Sequence, residues 1–159
     1  MRTKNTQKGF SLIELLIVVA IILIIAAIAI PNLLRSRMAA NEASAVGSLR
    51  TLNTASVQYS TTYGTGFPVA LSNLGPADPA TSAAADLIDS VLASGTKSGY
   101  AFVLAGVAGT GGTIDTYTIT ATPSTVGTTG QRMFFTDQSG VIRQNAAGSG
   151  ADVNSTPIS

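Results

Sequence analysis

Between Phe10 and Ile30 the chain reads FSLIELLIVVAIILIIAAIAI, a run of 21 residues in which only Ser11 and Glu14 are polar. As an α-helix rising ~1.5 Å per residue, the run reaches about 31 Å, close to the hydrocarbon thickness of a bilayer. It is long enough to span a membrane. Arg2, Lys4 and Lys8 precede the run and no cation lies within it. The positive-inside rule therefore leaves residues 1–9 in the cytoplasm and sends the remainder outward, a bias that Arg35 and Arg37 oppose only in part. An ordinary secretory signal has a shorter apolar core followed by a small-x-small cleavage site. Here the suggestive junction, Lys8-Gly9-Phe10, lies before the run. Gly9 leaves a peptidase free access to the backbone, and Phe10 opens the retained helix.

Glu14 is the most informative single residue. An ionised carboxylate inside a membrane segment costs about 2.5–3.5 kcal/mol on insertion scales, so its presence calls for compensation. The positive end of the helix dipole offers one source, and an amine freed at Phe10 by cleavage after Gly9 offers another, in the same subunit or a neighbouring one. Pairing with a neighbour makes Glu14 a registry device, satisfied only at the correct axial offset. Alternatively, Glu14, four residues after Phe10, snorkels to the headgroups.

The remaining composition narrows the chemistry. Charged residues make up 11% of the chain and the formal net charge is +1, which leaves no broad electrostatic footprint for nucleic acid. Without residues 1–9 there are six basic and eight acidic side chains, so the basic balance belongs to the leader. The chain has neither Cys nor His. That removes disulfides, thiolate nucleophiles, imidazole bases and imidazole metal ligands together. No cofactor, metal or specific nucleic acid is expected. GTGG at 109–112 lacks the strand-to-helix context of a phosphate loop and reads as a hairpin turn.

The stretch KGFSLIELLIVVAIILIIAAIAIPNLLRSR resembles the N-terminal signature of type IV pilins and pseudopilins, over about the first fifth of the chain. The resemblance implies a short class-a type leader, cut by a prepilin peptidase between Gly9 and Phe10. It also implies N-methylation at Phe10 and an assembly role for Glu14. The precursor is then expected in a bacterial inner membrane, and the mature subunit, delivered through a pilus assembly platform, in an extracellular helical homo-oligomeric filament. Pro31 matches the proline that follows the apolar part of the family's helix. By its missing donor and its clash with the preceding turn it is expected to weaken or break the helix there. One departure is the absence of Cys, because many pilins close a C-terminal loop with a disulfide.

Four segments follow: a leader at 1–9, an apolar helix at 10–31, its amphipathic continuation at 32–63 and a globular head at 64–159. Leu34, Met38, Leu49, Leu52 and Tyr59 recur on one face of the continuation, while Arg35, Arg37, Asn41, Glu42 and Arg50 fall on the less apolar surface. Turn residues crowd 64–80, and 82–94 suggests a short helix ended by Gly95. Asp86 and Asp89 on it read as surface acids. Four β-favourable runs follow, GYAFVLAGVA, TIDTYTITATP, RMFFTD and VIRQN, with hairpins across 109–112 and 137–140. The expected fold is α+β, a long N-terminal helix packed on a small antiparallel sheet.

The expected function is that of a structural subunit of a type IV pilus. The alternatives are a pseudopilin of a type II secretion system, a minor pilin of a DNA-uptake system, or a membrane-anchored binding domain. No calcium loop of the family type is evident in the C-terminal half, which counts against a major pseudopilin. No positioned base or metal cluster favours an enzyme.

Overall fold

The computed structural model describes residues 9–109 and 111–158. The chain forms two compact units, Met1–Ser36 and Arg37–Ser159. Of the leader expected at residues 1–9, all before Gly9 lies outside the described residues.

Helix α1 runs Leu12–Tyr63. Its sequence is rich in Ala and Leu, and it stops where Gly64 takes a left-handed conformation (φ 66°) that L side chains resist. The Gly64 N–H donates to Ser60 O at 3.1 Å. Pro31 lies inside α1, with helix on both sides, so the break expected there is not seen. A proline removes one backbone donor, and a helix held by the turns on either side of it tolerates that loss.

In the second unit, Ala45, Leu49, Leu52, Ala55 and Tyr59 of α1 are buried against a six-stranded antiparallel sheet. Its strands follow chain order: β1 Thr96–Lys97, β2 Tyr100–Ala108, β3 Ile114–Pro123, β4 Met133–Asp137, β5 Arg143–Asn145 and β6 Thr156–Pro157. Alternation sets the faces. Tyr100, Phe102, Leu104, Tyr117, Ile119, Ala121 and Phe134 point to the core, while the residues between them face away. Each large core side chain contributes about 1.5–3 kcal/mol through removal from water.

The expected four-stranded meander is present and is extended at both edges by the two-residue strands β1 and β6. The turn after β4 forms as expected: Gly140 N–H donates to Asp137 O at 2.9 Å, and Ser139 N–H to the Asp137 carboxylate at 2.9 Å. Between β2 and β3 the strands pair on both sides of 109–112, and Thr110 lies outside the described residues.

The helix expected over 82–94 shrinks to α2, Ser90–Ala93. The backbone N–H groups of Ala85, Asp86, Leu87 and Ile88 donate to the carbonyls of Asn73, Gly75 and Leu74 instead of along a helix. Partners in the preceding loop, which contains a 3-10 turn at Leu71–Leu74, thus override local propensity. Asp89 is the N-cap of α2, accepting from Leu92 N at 2.9 Å, and it pairs with Lys97 at 3.1 Å. It does more than solvate a surface.

Glu42 departs furthest from expectation. It is 8% exposed rather than displayed on the helix surface. Its carboxylate accepts from the backbone N–H groups of Gln131 (2.9 Å) and Arg132 (3.1 Å) and from Arg132 Nε (2.8 Å). Beside it, Asn41 donates to Thr129 O at 2.8 Å. Together these side chains clasp α1 to the loop between β3 and β4.

The same loop carries Gly130, where an added Cβ would overlap the hydroxyl and ring of Tyr100. Tyr100 is fully buried, and its hydroxyl donates to Arg132 O at 2.8 Å. Gly130→Ala is therefore expected to destabilise this unit by about 1–3 kcal/mol, the usual cost of overpacking. Thermal unfolding of the full chain in detergent measures it.

Candidate functional site: the N-terminal segment

Gly9 and Phe10 precede α1 without regular structure, and both are exposed. A Cβ built on Gly9 meets nothing within 4 Å, so the peptide bond between the two residues is sterically open. Phe10, at 84% exposure, has little cover from the described residues.

Ser11 stands immediately before the helix, and its carbonyl accepts the first helical bond, from Leu15 N at 3.2 Å. Three residues on, Glu14 turns back so that Oε2 accepts the Ser11 backbone N–H at 2.9 Å. This is the N3-acid half of a capping box, and it also sets the carboxylate at the positive end of the helix dipole. The sequence carries the signal as Ser11-x-x-Glu14, but reading Glu14 only as a charge in an apolar run passes over it. The structure brings Gly9, Phe10, Ser11 and Glu14 together at one helix start. Pro31 sits about five turns away along α1 and takes no part in this arrangement.

Beyond Glu14 the helix is apolar on every side. Exposure of its large side chains up to Ile30 runs from 45% at Val19 to 75% at Leu12, and no part of its most apolar 18-residue stretch is buried inside the protein. It is long and apolar enough to cross a membrane. Burial of so much apolar area is strongly favoured, so this face requires lipid or protein around it.

The second unit offers little reactive chemistry. A hollow of about 570 Å³ in it is an open groove beside α1 lined by Asn53, Val57, Gln58, Tyr117 and Gln138 among others, with no charged side chain. Burial, followed by the nearby Asp137 charge, pushes the Tyr117 hydroxyl up to about 12, and it donates to Asn53 Oδ1 at 3.2 Å. It is a poor acid or base near neutrality. Among the described residues no group of three potential metal ligands occurs.

Comparison with known proteins adds to this geometry. Residues 4–30 match the family model described as the prokaryotic N-terminal methylation motif. Over 38 residues the chain is 63% identical to the type IV wide pilus major component PilA4 of Thermus thermophilus, a match covering 24% of this chain and 29% of that protein. No solved structure matches the chain. The agreement thus falls on the segment that holds Gly9, Phe10, Ser11 and Glu14 at one helix start, and over that segment the chain matches the prokaryotic N-terminal methylation motif and is similar to a type IV pilin.

Proposed function

We propose that this chain is a structural subunit of an extracellular type IV pilus. The precursor sits in the inner membrane, loses residues 1–9 by cleavage between Gly9 and Phe10, is methylated at the new Phe10 amine, and polymerises through its apolar helix. The observation that carries the reading is the all-round exposure of that helix, with one acid held at its start. Lipid covers such a surface before assembly, and neighbouring subunits cover it afterwards. Glu14 fits the second environment because its carboxylate has a single hydrogen-bond donor among the described residues, the Ser11 N–H. A carboxylate accepts several, which leaves capacity for an incoming amine. Pro31 denies Ala27 O its helical donor and marks where α1 yields when it packs.

Mass spectrometry of the N-terminal peptide from surface-sheared material tests the reading. The expected species begins at Phe10 and carries one added methyl group. Recovery of the chain with residues 1–9 attached, or its absence from the sheared fraction, overturns the proposal.

A further inference from the structure

The sheet of the second unit has two faces, and only one is covered by α1. On the other, β2 and β3 present Val103, Ala105, Val107, Thr116, Thr118 and Thr120, paired across the strands as Val103↔Thr120, Ala105↔Thr118 and Val107↔Thr116. Val103 is 59% exposed and Val107 52%. All the side chains in this patch are short and none is charged, so it is both flat and electrically neutral. Charge returns only on the adjoining strands, where Asp137 pairs in register with Thr118 and Arg143 with Phe135. These two opposite charges share the outward face, and no ion pair joins them among the described residues, although Arg143 is half-buried and its Nη1 donates to Ser155 O at 3.2 Å.

We propose that this Val/Thr face is a self-association surface, which the same face of a second copy covers in a two-fold contact between neighbouring filaments. Three observations select that occupant. A neutral, flat patch does not repel its own copy, whereas a nucleic acid or an anionic lipid surface requires cations there. A two-fold contact brings residue i to j and j to i, so a docking that sets Asp137 of one copy against Arg143 of the other forms that pair twice. Two strands about 30 Å long and their flanks cover about 400 Å² per copy, half of what a stable soluble dimer buries. So weak a contact acts only when repeated, as along two parallel filaments whose subunits engage together. The inference rests on the filament reading given above.

Cross-linking decides it. The chain has no cysteine, so one introduced thiol reports one position. Full-length Thr118→Cys is compared with Thr128→Cys, which lies in an exposed turn outside the patch. Intact filaments, and membranes containing the unassembled chain, are treated with a bis-maleimide spanning ~10 Å, the spacing of face-packed sheets. At least fivefold more covalent dimer is expected for Thr118→Cys. Adding Val103→Lys, which sets like charges against each other at an exposed site, should remove the excess and separate bundled filaments under the electron microscope. Equal yields at the two positions, or an excess that survives Val103→Lys, overturn the proposal. Filaments without the Thr118 excess sink the contact alone. An excess in membranes of cells that make no filaments sinks the filament reading and leaves the contact standing.

Discussion

Glu14→Ala is expected to abolish surface filaments, by at least tenfold, while leaving cleavage at Gly9-Phe10 intact. The size follows from the environment. A carboxylate in an apolar setting is destabilised by about 2.5–3.5 kcal/mol, and on the proposed reading an incoming subunit that supplies an amine relieves that cost at the moment of docking. A difference of 1.4 kcal/mol is a factor of ten in an equilibrium constant, so relief on that scale exceeds tenfold for each subunit added. Glu14 has a second job, however, because its Oε2 accepts the Ser11 N–H at 2.9 Å. Alanine removes both functions at once. Glu14→Gln separates them: glutamine at N3 completes the same capping interaction but carries no charge. If charge drives assembly, both variants lose filaments. Filaments retained in Glu14→Gln but lost in Glu14→Ala would assign the residue to the helix start alone. Sheared-filament yield, measured alongside the mass of the mature N-terminus, reads both outcomes.

Much of this arrangement is local, and therefore legible in the sequence. A 21-residue run with only two polar positions, three cations before it and one acid inside it need no tertiary information to be seen. The same holds for the period-two alternation of Tyr117, Ile119 and Ala121 with Thr118, Thr120 and Thr122, and for Gly64 as the residue that ends α1. What escapes the sequence depends on distant partners. Residues 85–88 look helical, yet their N–H groups are taken by carbonyls of the preceding loop. The strands β1 and β6 are two residues each, too short for any periodicity. Pro31 reads as a break, but the turns around it hold the helix. Glu42 counts as a surface charge in a helical wheel, because Arg132, 90 positions away, leaves no local trace. At the candidate site Ser11 was within reach, since Ser-x-x-Glu before an apolar run is itself a helix-start signal.

The Glu42 clasp gives the largest expected change in the stability of the second unit. Glu42→Ala leaves two backbone N–H groups, those of Gln131 and Arg132, without their acceptor and strips Arg132 of its counter-charge. The side chain of Glu42 is 10% exposed, but that of Arg132 is 40% exposed. The abandoned guanidinium therefore keeps part of its hydration, and the loss falls below that of a fully buried pair, at about 2–3 kcal/mol. Arg132→Ala should cost less, because Glu42 then keeps both backbone donors, although the contact of the guanidinium with the Phe134 ring at 5.3 Å is lost as well. In thermal unfolding of the full chain in detergent, Glu42→Ala should lower the midpoint by about 10 °C, with Arg132→Ala between it and wild type. Acid gives an independent check. Burial by itself raises the Glu42 carboxyl, but the Gln131 N–H, the Arg132 side chain and the Arg132 N–H together hold it below the usual 4.5. A carboxyl whose folded value is depressed stabilises the fold above its unfolded value and loses that contribution as pH falls through the folded one. The gap between wild type and Glu42→Gln should thus be constant from neutral pH down to about 5, and shrink as acid protonates the carboxylate below about 4.5. A gap that stays the same at pH 3 would show that the clasp works through shape and neutral hydrogen bonds rather than through charge.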